Sequence, residues 1–450
     1  MKKICILLVA ILMINTFPAG VYGESFGPSE WNQYRMISDK NAVYNNGSEP
    51  LNSQVYQTAD EVRSTPVVVG NKLFVGNHNS GDLFAFDVVT GEELWRNKAP
   101  NWIHSEMIYQ DDIVYVGFGN RFFQDNGIRG TGESGLLALD ADSGDILWKY
   151  NTDGEVMPTP AYYDGAVYIA TGDRHLYKLD SKTGDLLHKE ELGSTTSMSS
   201  PNINDDTLFV GGSGPLPYTF SAYDLLQDDL AWQTEFPKVI AGLDDVPPAV
   251  SEDIVVTTAL EGERDTPEHF MYALDKESGD IIWKVSLGIG EMVSNNKSGA
   301  PMIYEGKIYV GSPITKTFYA YDLETGDKLW EFENEVMKAP PVAQDGVVYF
   351  SNTKGFVYAL NSETGEKLGE VELEGKLAPA GPIIINDTLF VGSQDTNVYA
   401  VPLSDFGISK NFINSSDKEA TNGINYVLLA IVAVIVIILG FFLYRKRKNI

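Results

Sequence analysis

Cysteine is almost absent: the 450 residues contain one, Cys5. It lies in an apolar leader that is expected to be cleaved after Gly23. No thiol then remains for a disulfide, a thiolate metal site or thiol catalysis. Cys5 also precedes the apolar run and is badly placed to carry a lipid anchor. Basic residues are scarce, with 33 Lys and Arg against 62 Asp and Glu and a formal charge of −29. Such a balance excludes a nucleic-acid backbone as partner. The five histidines show no metal-ligand spacing, and no metal site is expected. No Ser-His-Asp or paired-carboxylate pattern stands out, so no catalytic residue is expected.

What is present at the two ends is apolar. Lys2-Lys3, the run Ile4 to Met13 and Val21-Tyr22-Gly23 have the order of a secretory signal, residues 1–23. Residues 424–444 are nearly all apolar and uncharged, and Arg445-Lys446-Arg447-Lys448 follows at once. At ~1.5 Å per residue this stretch spans a bilayer, and the basic flank (residues 445–450) keeps the tail cytoplasmic. Residues 404–423 are polar and read as a stalk. The expected product is a single-pass membrane protein of the cell surface. Its body, residues 24–403, lies outside and is more acidic than the whole chain, because the basic ends are not part of it.

Within the body one phrase recurs, Ala-x-Asp-x-x-(Thr/Ser)-Gly-x-x-x-Trp. Complete copies run from Ala85 through Asp87 and Gly91 to Trp95, and from Ala138 through Asp140 and Gly144 to Trp148. Two more join Ala273, Asp275, Gly279 and Trp283, and Ala320, Asp322, Gly326 and Trp330. Three copies are worn. Asp180 and Gly184 end in His188, Ala222 and Asp224 reach Trp232 without the glycine, and Ala359, Asn361 and Gly365 end in Gly369. An apolar strand with a small final residue precedes each copy, as in Leu73-Phe74-Val75-Gly76, and it occurs eight times. Four short strands per unit, here named A to D, fit each interval of roughly 40–50 residues. The pattern predicts an all-β, eight-bladed propeller of four-stranded antiparallel blades. The last unit lacks strand D. Residues 53–58 should supply it beside Tyr399, with Tyr56 near the tryptophan position, and so close the ring.

These phrases resemble the tryptophan-docking repeats of the pyrroloquinoline-quinone-like propeller superfamily, which includes quinoprotein dehydrogenases and BamB-type assembly lipoproteins. The resemblance covers residues ~50–403. It implies that Trp95, Trp148, Trp232, Trp283 and Trp330 join adjacent blades. It leaves both scaffolds and enzymes open. A quinone-dependent alcohol or sugar dehydrogenase would want a cysteine pair and calcium-binding acids; the expected cofactor is therefore none, with pyrroloquinoline quinone and Ca2+ as the alternative.

Alternating strand direction puts the A–B and C–D turns on one face and the B–C and D–A loops on the other. From the end of strand B to the Asp position the spacing is 23 residues in blade two and 18 in blade five, against 10–13 elsewhere. The additions lie at Gly119–Ser134, at Leu260–His269 and, slightly, at Pro215–Tyr218. Individual loops on a rigid frame are where function sits. Arg121, Arg129, Arg174 and Arg264 fall in B–C loops and Arg63 in the incoming D–A loop. Trp102, Phe122, Phe123, His78, His104, His175 and His269 share that face. Arginine with aromatics has the composition of a recognition surface. The expected function is a non-catalytic scaffold that meets envelope or membrane proteins through this face. A small-anion site on the same face and a carbohydrate or cell-wall binder are further alternatives. Asn46, Asn296, Asn386 and Asn414 stand in sequons that permit N-glycans.

Overall fold

The computed structural model describes residues 25–408. The expected signal and the apolar segment 424–444, with its basic tail and most of the stalk, lie outside the described residues. Among the described residues no helix is long and apolar enough to cross a membrane.

Eight sheets form the body. Blade 1 is a meander of Val67–Val69, Lys72–Gly76, Asp82–Asp87 and Glu93–Lys98, and the other blades repeat it. The inner strands are buried on both faces, as in strand B of blade 3, Ala166–Ala170. Strand D alternates, as in Asp229–Phe236. A blade thus packs both faces of its inner strands against neighbours and shows its last strand to water.

The Asp of each phrase holds the C–D turn. Asp322 Oδ1 accepts the Glu324 and Thr325 N–H groups at 3.0 and 2.9 Å. The glycine four residues on has positive φ, 71° at Gly326. The tryptophan of one blade lies over the glycine of the next. Trp330 Nε1 donates to Ser362 O at 2.9 Å, and a Cβ on Gly365 would meet its ring at 2.7 Å. Trp95, Trp148, Trp232 and Trp283 repeat the contact with Ala141, Ser181, Lys276 and Leu323.

Gln54–Gln57 pairs antiparallel with Asn397–Pro402, Val55 opposite Tyr399, and closes the ring. The register corrects one expectation. Ala400, the counterpart of the alanines opposite tryptophan elsewhere, faces Gln54 rather than Tyr56. Gln54 lies over Gly91. Tyr56, two residues on, supplies the hydrogen bond, its hydroxyl donating to Val88 O at 2.6 Å.

Two additions stand outside the repeat plan. The expected stalk starts as part of the body: Leu403–Phe406 forms a 3-10 turn, and Phe406 packs on Tyr349 with ring centres 5.1 Å apart. This turn fills the space left by Gly369, where a Cβ would meet Phe406 O at 2.0 Å. The second addition is the strap, residues 27–44. It winds inside the bore and bonds strand A, or its turn, in every blade in succession. Its partners are Gly70, Tyr109, Tyr162, Ile203, Val250, Ile303, Ala343 and Ile384, at 2.7–3.0 Å. Val43–Tyr44 ends it as a parallel strand on Ile383–Ile385.

Candidate functional site

The strap makes the axial channel blind on the side of the A–B turns. Trp31 Nε1 and the Arg35 N–H both donate to Glu106 Oε1 at 2.8 Å. The Arg35 guanidinium bonds Lys40 O at 2.9 Å and Pro341 O at 2.7 Å. All these side chains are buried. Burial pushes the Glu106 carboxyl up to about 7 and the Lys40 ammonium down to about 7.

Above this floor the bore opens toward the loop face through two abutting chambers. The lower, about 40 Å³, is lined by Tyr34 of the strap, Glu106, His104 and Lys338. The upper, about 110 Å³, is lined by Arg63, Arg121, Arg129, Lys297, His78 and Asp245, among others. Arg63, His104, Met157, Met198 and Asp245 line both. Two of the charges here are matched: Arg129 meets Glu155 at 3.0 Å, and Lys338 meets Asp245 at 2.8 Å. Arg121 donates to Asn295 Oδ1, a neutral partner, at 2.6 Å. Burial lowers the Arg63 guanidinium below its ordinary range; Glu61 offsets part of this, and Arg121 adds a like charge. Its buried Nε has no hydrogen-bond partner.

One wall is aromatic. His104 and His78, then His78 and Trp102, have ring centres 4.9 Å apart, and Trp102 and Phe122 follow at 5.3 Å. The run leads from the chambers to the rim, where Phe122 and Phe123 are 51% and 65% exposed. Burial first, and Arg63 second, pushes His78 down to about 4. Burial and the nearby His78 push His104 well below its ordinary value. Both rings are therefore neutral at pH 7.

The residues expected on the loop face separate into three groups. Arg121, Phe122, Phe123 and Arg264 are exposed. Trp102, Arg129, Arg174 and His175 are half-buried, and His104 faces the chambers. His269 lies at that end of blade five but is not exposed there. The extra residues of blade five lengthen strands B and C to nine residues each, Ile254–Gly262 and Pro267–Asp275, instead of forming a loop. His269 is fully buried there between Ser298 Oγ at 2.7 Å and Ser312 Oγ at 2.8 Å. Asn386 is also buried. Its side chain is bonded to Phe26 O and to the Asn46 N–H, which leaves no room for a glycan on the folded chain. Sequence reasoning missed Lys297, Lys338, Asp244, Asp245 and the strap. The only hint was Trp31 and Tyr34, large aromatics outside any repeat.

Comparison with known proteins agrees with this architecture. The family profile described as outer membrane protein assembly factor BamB matches residues 42–124, 117–237 and 219–410. A tetrathionate hydrolase of Acidithiobacillus ferrooxidans is 25% identical over 443 residues, covering 86% of this chain and 88% of that one. A BamB of Burkholderia pseudomallei is 24% identical over 348 residues, covering 74% and 83%. The quinohemoprotein alcohol dehydrogenase of Comamonas testosteroni superposes with a TM-score of 0.63 at 14% identity, covering 83% and 80%, which shows a shared fold. With eight blades joined by tryptophan-on-glycine seams and a matching profile along nearly the whole body, the chain belongs to the BamB-type family of PQQ-like repeat propellers.

Proposed function

We propose that the propeller is a cell-surface binding scaffold that engages a membrane or envelope protein through its loop face. The observation that carries this reading is the exposed Phe122-Phe123 pair beside Arg121, raised on the longest B–C loop at the mouth of a basic bore. In a chain of charge −29, exposed aromatics next to arginine favour a partner with an acidic, partly apolar surface. The BamB relatives, named as assembly factors, support a scaffold. The test is photo-crosslinking from position 123 in intact membranes of the native host. A discrete adduct lost in Arg264→Glu and Arg121→Glu, yet kept in Trp330→Phe, is expected. An adduct indifferent to charge reversal would refute the reading.

A second reading is hydrolysis of a sulfur oxyanion. It is favoured by the extent of the match to a tetrathionate hydrolase, which spans most of both chains. Consumption of tetrathionate by the purified chain would establish it. The quinone-and-calcium alternative fits the residues poorly. Asp245 is the one carboxylate lining the upper chamber, and Lys338 already neutralises it. Among the described residues no group of three or more His, Cys, Asp or Glu side chains is placed to hold a metal ion.

A further inference from the structure

We infer that the upper axial chamber is a binding site for one compact, multiply charged oxyanion of sulfate or phosphate size. The chamber gathers four cationic side chains, Arg63, Arg121, Arg129 and Lys297, around a single carboxylate, Asp245. Of the acids around this group, Glu61 near Arg63 and the buried Asp244 near Lys297 act only at longer range, and the other two are already paired. Asp245 is held by Lys338, and Glu155 is held by Arg129. Among the described residues no carboxylate lies within ion-pair distance of Arg63, Arg121 or Lys297.

Three cations without an ion-pair partner at one mouth are costly, since like charges repel and the partial burial of Arg63 and Lys297 removes some of their water. In a chain with 62 acidic residues the arrangement is not a by-product of composition. An anion in the chamber removes the cost. The Ser197 hydroxyl, which also lines the chamber, adds a neutral hydrogen-bonding group.

Size sets the class. About 110 Å³ is several times the ~10–15 Å³ that one water needs, yet too small for a nucleotide or a tricyclic cofactor. The strap closes the far end, so an extended polyanion cannot thread through. Guanidinium forks favour tetrahedral oxyanions over chloride, because two parallel N–H groups need two oxygens. The site stands apart from the protein-docking reading. It exists whether or not the rim holds a protein, and whether or not the bound anion is turned over.

Calorimetric titration of the full chain with sodium sulfate and with sodium phosphate, at ionic strength held constant with chloride, tests this. One saturable site per chain is expected. Arg63→Gln and Lys297→Gln should each weaken it about tenfold or more, the loss of one charge-assisted contact. Arg63→Lys should retain part of the affinity, and Lys182→Gln on the opposite face should change nothing. Near-UV circular dichroism confirms that each variant is folded. Absence of saturable heat with either anion, or equal affinity in both glutamine variants and the parent, overturns the inference. Loss of partner crosslinking with this titration intact would count against the docking face alone.

Discussion

The blade seams show how much a single position carries. At most seams tryptophan covers glycine, and the ring fills the space a Cβ would take. Trp330→Ala removes a buried ring and its bond to Ser362 O, and should cost ~3–5 kcal/mol in urea unfolding. The seam between blades 3 and 4 uses another solution. His188 stands for the tryptophan and Asp228, at φ 53°, for the glycine, and Lys178 reaches Asp228 at 2.7 Å. Two copies that look independently eroded in sequence are one matched exchange. His188→Trp alone should destabilise, because the Asp228 side chain occupies the ring's place. His188→Trp with Asp228→Gly should recover stability, with a coupling of ~1 kcal/mol or more in a double-mutant cycle. Repeat reading found each worn position but not their pairing, because partners on adjacent blades lie ~40 residues apart. The same limit misplaced Tyr56: counting predicts a tryptophan equivalent, whereas register gives the position to Gln54 and the hydrogen bond to Tyr56.

At the scale of elements, turns were legible and the strap was not. Asp-x-x-(Thr/Ser)-Gly declares its hairpin because one carboxylate satisfies two turn N–H groups locally. Those bonds hold Asp140, Asp275 and Asp322 below the usual carboxylate range. A folded-state pKa below the unfolded one means stability that is complete above ~pH 4 and lost as pH falls through the folded value. Melting followed by circular dichroism should therefore fall steeply below pH 4. Asp322→Asn should keep the turn, as Asn361 does naturally, and flatten that acid slope. The strap has no period, because it forms no sheet of its own until Val43. It offers one residue or two to each blade in turn, a pattern set by the ring and invisible along the chain. Arg35→Ala should cost ~3–5 kcal/mol, since it removes the bonds to Lys40 O and Pro341 O and leaves Glu106 with one fewer buried counter-charge.

For the molecule as a whole, acidity and closure oppose each other. Repulsion across the acidic surface loosens a ring that the seams and the Gln54–Gln57 strand hold shut. Raising NaCl toward 1 M, where the screening length falls to ~3 Å, should raise the melting temperature. A flat response would show that the acids are already locally compensated. The eight-blade count and the two-faced division of loops were legible because they follow from repeat number and strand alternation. The basic bore was legible only in part: strand alternation put Arg63, Arg121 and Arg129 on one face, but Lys297 and Lys338 come from other blades' connections and carry no mark of it in sequence. The strap also imposes an order of assembly. Its docking sites extend to Ile384, so a stretch made before every blade must wait for nearly all of them before it can seat. Chains halted before Pro341 should expose residues 27–44 to limited proteolysis, while finished chains should resist, making this segment a built-in report that synthesis of the ring is complete.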